Sequence, residues 1–282
     1  CHWIVGQEAF RGIIRFFLKH IPANGIEFAR VSRGGGKDIE RAIQSALAVL
    51  PQWSEKPVVA RADLLRRAAE LIRGRKAEIA AIVALESGKS INTARSEIDA
   101  AVECGFFFAG EGRRFFGQVL TSAQPNRTIQ MLREPIGVGA LITPFNNPAA
   151  GIAWKLFPAL VCGNAVVIKS HEDTPYIAVW FAEVFKEAGV PSGVISVLQG
   201  LGREVGAALV SDKRVQFVSF TGSVETGRAI LRATAERLAK VSIESGGKNA
   251  LVVCDDADLE RAPADASAPA VVGGGQRCAA AS

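Results

Sequence analysis

Two residues carry the clearest chemical signal in this chain: Glu244, in Ser242-Ile243-Glu244-Ser245-Gly246-Gly247-Lys248, and Cys278, in Gly275-Gln276-Arg277-Cys278. A cysteine in a glycine-flanked turn, with a carboxylate supplied by an earlier segment, suffices for covalent thiol chemistry followed by attack of water. Free cysteines are most often small buried core residues, and Cys104, Cys162 and Cys254 lie in apolar settings that fit that use. Cys278 differs because Gly273-Gly274-Gly275 and Gln276 precede it, leaving its surroundings open and its backbone N–H accessible. Glu244 is either a structural carboxylate or a base, and the Gly246-Gly247 pair beside it implies close backbone approach.

Three further turns follow apolar runs. Pro144-Phe145-Asn146-Asn147-Pro148 holds an Asn between two φ-fixing prolines, which suits either a preorganised amide donor for an oxyanion or a helix cap. Lys169-Ser170-His171-Glu172 sets a cation and a carboxylate where they hold the hydroxyls of a ribose, or form an ordinary ion pair. Thr221-Gly222-Ser223-Val224-Glu225-Thr226-Gly227 opens a helix whose free N–H groups and dipole attract phosphate; Ser223 is equally suited to capping that helix. Two other segments are decoys. Gly200-Leu201-Gly202-Arg203-Glu204-Val205-Gly206 has GxGxxxG rather than GxGxxG spacing, and Gly88-Lys89-Ser90 lacks the glycine that a phosphate loop places at position 83, which is Val83.

The elements that must position these residues are legible in the periodicity. Asp38 to Leu50 reads as a helix ending at Pro51, Arg61 to Leu85 as a second, and about Asn92 to Gly110 as a third. From 136 onward strands and helices alternate: 136–143 then 149–161, 165–169 then 175–188, 194–198 then 204–211, 215–220 then 224–239, and finally strands at 241–244 and 250–254. This alternation predicts an α/β doubly wound parallel sheet, Rossmann-like, with helices on both faces. A hairpin is expected within 117–135. The prolines at 263 and 269 argue against one continuous helix there.

The chain has 282 residues, 49% apolar and 22% charged, which fits a globular protein with ample core. Its longest apolar run, 152–168, is broken by Lys155, Pro158, Gly163 and Asn164, so no membrane span is expected. The net charge of +5 is concentrated in the basic side of the 61–76 helix, read as a solvated face; without interleaved aromatics it is a poor nucleic-acid patch. Five cysteines without a CxxC pair, and three histidines, make zinc improbable and reduced cytoplasmic thiols the expected state. The start, Cys1-His2-Trp3-Ile4-Val5-Gly6, has no signal-peptide pattern and no initiator Met, so an incomplete N-terminus is expected.

Together these motifs resemble the NAD(P)-dependent aldehyde dehydrogenase superfamily, from about Ile26 to Ser282. The resemblance implies a catalytic set of Cys278, Glu244 and Asn146, with Phe145, Lys169, Glu172, Gly202, Gly222, Ser223 and Gly227 binding cofactor. It implies a mechanism in which the Cys278 thiolate attacks an aldehyde, Asn146 and the Cys278 N–H stabilise the oxyanion, hydride leaves to nicotinamide, and Glu244 activates water against the thioester. The carboxylate at 172 favours NAD over NADP. The implied layout is an N-terminal helical part (1–116), an oligomerisation hairpin (117–135), the Rossmann-like domain (136–247) and the start of a truncated catalytic domain (248–282). A homodimer or homotetramer is implied for the full-length form. Phe145 and Asn147 replace the family's usual aromatics, and Ser245 a usual Leu; the Glu-x-Phe-Gly-Pro segment that follows the cysteine in the family is missing. A CoA-acylating semialdehyde dehydrogenase and a non-catalytic NAD-binding fragment are the alternatives.

Overall fold

Runs such as Ala165-Val166-Val167-Ile168 are apolar on both sides of a strand, and a strand of that kind must be covered on both faces. The computed structural model, which describes residues 2–4, 7–9, 15–247 and 249–280, achieves this cover with three layers. Along the chain come β1 (His2–Ile4), β2 (Gln7–Ala9) and the hairpin of β3 (Phe16–His20) with β4 (Glu27–Ser32). Four helices follow: α1 (Gly36–Glu55), α2 (Val58–Gly74), α3 (Lys76–Ser87) and α4 (Ile91–Glu111). The expected hairpin is β5 (Gln118–Thr121) paired with β6 (Thr128–Met131). The alternating part comprises β7 (Val138–Ile142), α5 (Pro148–Val161), β8 (Ala165–Lys169), α6 (Pro175–Ala188) and β9 (Ile195–Leu198). It continues with a π-helix (Gly202–Gly206), α7 (Ala207–Ser211), β10 (Phe217–Gly222), α8 (Val224–Ala235) and β11 (Lys240–Ser245). Beyond lie α9 (Ala262–Val271) and a short 3-10 turn (Val272–Gly275).

Among the described residues the main sheet runs β11-β10-β7-β8-β9-β1-β2, parallel from β11 to β9 and antiparallel at β1 and β2. The chain builds outward from β7 through β8 to β9, then returns to place β10 and β11 on the other side. That reversal opens a crevice at the carboxyl ends of β7 and β10, where doubly wound sheets bind ligands. On one face, Leu141, Val166, Ile168, Ile195 and Val197 pack with α5 and α6, over which α2, α3 and α4 lie. On the other, Ala140, Val167, Leu198, Val218 and Phe220 pack with α1, α7 and α8.

Several expectations are corrected. The first portion is not purely helical, since β1 to β4 precede α1. Helix α1 runs through Pro51 to Glu55: Ser54 Oγ donates to the Pro51 carbonyl at 3.0 Å, and fully buried Trp53 anchors the added turn. The single helix over 61–85 is two, broken where Gly74 leads into Arg75 (φ −107°, ψ 20°). Arg61 is not on a solvated face; it is buried, its guanidinium donating to the Val161 carbonyl at 3.0 and 3.1 Å and to Ser54 O at 3.0 Å. The 204–211 segment begins as a π-helix rather than an α-helix. Residues 250–254 form no strand: Leu251, Val252 and Val253 are exposed and pair with no strand among the described residues. Residues 262–271 are helical: Pro263 falls in the first turn, where an N–H would have no helical partner, whereas the place of Pro269 in the eighth position has no local explanation. Cys1 and Lys248 lie outside the described residues.

Gly105 of α4 permits a close crossing of three helices. A Cβ there would stand 2.7 Å from Phe157 Cζ of α5 and 2.8 Å from Ala69 Cβ of α2. Gly105→Ala should therefore destabilise the protein by about 1–3 kcal/mol, as overpacking does, despite alanine's better helix propensity. Urea unfolding would read this, and an equal or more stable variant would show that α2, α4 and α5 are not packed as described.

Candidate functional site

The register sets the site on one edge of the sheet. Ile142 of β7 pairs with Lys169 of β8 and Phe220 of β10, and Lys169 pairs with Leu198 of β9, so β7, β8 and β9 end level and β10 runs two residues further. Glu244 of β11 stands opposite Thr221, one step further toward that edge. The turns bearing Asn146, Glu172, Gly202 and Ser223 all leave from it. Alternation divides these residues between the faces. Lys169 shares the face of Val167, toward α1 and α7, whereas Glu244 and Ser219 share the face that carries α5.

On the first face, Lys169 is buried and its Nζ donates to Glu172 Oε2 at 3.0 Å and to the Ser170 carbonyl at 2.5 Å. Burial lowers the Lys169 pKa, partly opposed by Glu172. Burial also pushes the Glu172 carboxyl up, but Lys169 outweighs this and holds it below the usual carboxylate value. The Gly202 N–H approaches Glu172 Oε1 at 3.4 Å, so the π-helix start and the β8 turn are tied together through one carboxylate. Phe145 bridges from β7, its ring 5.1 Å from that of His171. Ser223 does cap α8, accepting from Thr226 N at 3.2 Å, and so draws the start of that helix to the crevice. Gly227 lies inside α8, where a Cβ would meet Ile243 Cγ2 at 3.1 Å. Its local role is to let α8 approach β11; Gly222, at the end of β10, leads directly into the cap. This buried cation–carboxylate pair, beside a helix start, fits the ribose and phosphate of a dinucleotide.

On the second face, Asn146 is not the residue that caps α5. Its Oδ1 accepts from Asn147 N at 3.0 Å, which fixes the amide so that Nδ2 donates to the Gln276 carbonyl at 2.9 Å. The amide thus reaches the Cys278 loop from 130 residues away. Gly274 and Gly275, at φ 66° and 70°, supply the left-handed bend of that loop, and Cys278 is exposed at its end. The Cys278 carbonyl accepts from Asn249 Nδ2. Cys104 is buried as expected, Cys162 is partly so, and Cys254 is exposed, contrary to the core role expected of it. A Cβ on Gly246 or Gly247 would meet open space, and the Gly246 N–H donates to the Gly222 carbonyl at 3.3 Å.

Sequence reading passed over three residues here. Lys155 of α5 is 7% exposed and donates to Ser219 Oγ at 3.1 Å. Burial brings its pKa down to about 8, with the Glu244 carboxylate opposing the shift. Its signal was a lone cation in the apolar run 148–161. Glu97 of α4 accepts from Ala149 N at 2.7 Å and Ala150 N at 3.2 Å, capping α5 in place of a side chain from the cap residue Asn147. Lys89 donates to Glu97 Oε2. Glu97 falls on the apolar stripe of Ala94, Ile98 and Ala101, an unusual place for an unpartnered acid.

One edge of the doubly wound sheet thus gathers an ion pair, a helix start and an amide aimed at a cysteine loop. The aldehyde dehydrogenase family model matches residues 15–282, and the chain belongs to that family. It is 36% identical to betaine aldehyde dehydrogenase of Bacillus subtilis (strain 168), over 99% of this chain and 56% of that protein. It is 38% identical to the NADP(+) succinate-semialdehyde dehydrogenase GabD of Escherichia coli (strain K12), over 91% of this chain and 53% of that protein. Betaine aldehyde dehydrogenase of Staphylococcus aureus, solved in complex with NAD+, superposes with a TM-score of 0.96 at 32% identity, covering 99% of this chain and 57% of that one. The chain thus spans about half the length of the curated relatives it matches.

The Lys155 environment sets a pH dependence. An ammonium with pKa about 8 when folded, against roughly 10.4 when unfolded, leaves the unfolded state binding more protons between those values. Stability contributed through Lys155 therefore rises with pH across that window. The melting temperature of the native protein, measured against Lys155→Met, should gain from pH 8 to 10.5; a constant difference would mean that Lys155 is not held as described.

Proposed function

We propose that the protein oxidises an aldehyde to a carboxylic acid, with NAD+ as the preferred hydride acceptor. The observation that carries this reading is the Asn146 amide held against the Cys278 loop by Gln276. An amide has two N–H donors, and engaging one with Gln276 leaves the second for an oxyanion at the thiol. The Cys278 thiolate adds to the aldehyde carbonyl, forming a thiohemiacetal whose oxyanion is held by Asn146 Nδ2 and the Cys278 N–H. The bound dinucleotide supplies the hydride acceptor that lets this adduct become a thioester. Glu244 takes a proton from water, the hydroxide attacks the thioester, and the thiolate leaves with release of the acid. Lys155, on the same face as Glu244, contributes a cation beside that base.

Lys169 and Glu172 hold the adenosine ribose beside Gly202; Gly222, Ser223 and the α8 start hold the pyrophosphate, and Phe145 packs on His171 between the two turns. The region 136–247 is the cofactor domain and 248–282 the start of the catalytic one. The hairpin at 117–135 exposes Val119, Leu120, Ile129, Met131 and Leu132, which suits subunit association as a homodimer or homotetramer. No helix among the described residues is long and apolar enough to cross a membrane, and a cytoplasmic setting suits the reduced thiols.

The test is NADH formation with short, aromatic and acidic aldehydes. Cys278→Ala should abolish it, whereas Glu244→Gln should keep a burst of NADH and lose steady turnover. Unchanged turnover in Glu244→Gln would remove its role as base. For the cofactor, Glu172→Gln should tighten NADP+ binding relative to NAD+ on the order of tenfold, by relieving charge repulsion of a 2′-phosphate. Equal effects on both dinucleotides, by fluorescence titration, would place Glu172 away from the 2′ position.

A further inference from the structure

We infer that Lys89 and Glu97 are positioning residues that hold the Asn146 amide in its working orientation, an inference that rests on Asn146 being the oxyanion donor. An ammonium has three N–H donors, and Lys89 uses all of them: on Glu97 Oε2 at 2.5 Å, on the Asn146 carbonyl at 2.5 Å and on Asn147 Oδ1 at 3.1 Å. The two charged side chains are 8% and 3% exposed. Glu97 then uses its other oxygen on the first amides of α5, where a carboxylate also meets the positive end of the helix. The turn of 144–147 is therefore gripped twice. Lys89 holds its backbone carbonyl, and Glu97 holds the helix that begins immediately after it.

This clamp decides where the amide points. With the Asn146 carbonyl held and Asn146 Oδ1 engaged by Asn147 N, rotation of the side chain is stopped and Nδ2 faces the Cys278 loop. Neither Lys89 nor Glu97 touches the proposed site of reaction; each acts through Asn146. The Gly88-Lys89-Ser90 segment, which resembles a phosphate loop in sequence, thus puts its lysine on three protein oxygens rather than on a nucleotide.

The test uses Lys89→Met together with Glu97→Gln. Removing both charges avoids stranding one of them in the interior, and the glutamine oxygen still accepts from α5, so the fold is retained. Native-state hydrogen exchange should speed up in the amides of residues 145–150 and stay unchanged in α2 and α6, with or without substrate. In steady state, kcat should fall on the order of 10- to 100-fold, comparable to partial loss of an oxyanion donor, with KM for NAD+ unchanged. Adding Asn146→Ala to the pair should cost little more than Asn146→Ala alone, because both act on one donor. Unchanged exchange at 145–150, or losses that add in full, would overturn the inference. If the parent protein forms no NADH, the proposed function fails, while the exchange result still decides whether this pair fixes the Asn146 turn.

Discussion

A helix that begins inside a protein must find acceptors for its first amides, and much of this structure follows from how α5 and α6 meet that demand. Both start with proline beside the sheet, and in neither does the cap residue's own side chain serve. Each instead receives a buried glutamate from the outer helical layer: Glu97 of α4 accepts from Ala149 and Ala150, and Glu86 of α3 accepts from Tyr176 N at 2.7 Å and Ile177 N at 3.2 Å. The outer layer is thereby bonded to the two helices whose preceding turns carry Asn146 and the Lys169–Glu172 pair. Leaving such amides unmet would cost roughly 1–3 kcal/mol each.

The parallel register does the rest. Because β7, β8 and β9 end level, turns of different sequence arrive at one edge, and alternation sends the strand residues before them to opposite faces. The ion pair suited to a ribose lies toward α1 and α7, whereas the carboxylate and the amide lie toward α5.

Much of this was legible in the sequence where one physical cause dominates. The apolar runs at 165–169 and 175–188 fall in a strand and a helix with those same bounds, because burial on both faces or along a helical stripe leaves few alternatives. The polar turns were legible by position, at the ends of such runs. What escaped depends on distant partners. Nothing local to Arg61 reveals the Val161 carbonyl that draws it inside, and Lys89 is indistinguishable from a surface lysine until Glu97 and Asn146 converge on it. Residues 250–254 have strand-like composition, but a strand also needs a neighbour. Pro263 of α9 misled for the opposite reason, since a proline in the first turn of a helix forfeits nothing.

The bond from Asn146 to Gln276 also orders the events of folding. Contacts between residues so far apart in sequence close the largest loops, and a chain made from its N-terminus completes β7, α5 and the parallel core well before Gln276 exists. The amide is therefore oriented before there is anything for it to hold. The Cys278 loop comes later and docks on strands and helices already made. Because Cys278 is exposed with its loop docked, its susceptibility to oxidation follows from that exposure and not from the stability of the sheet.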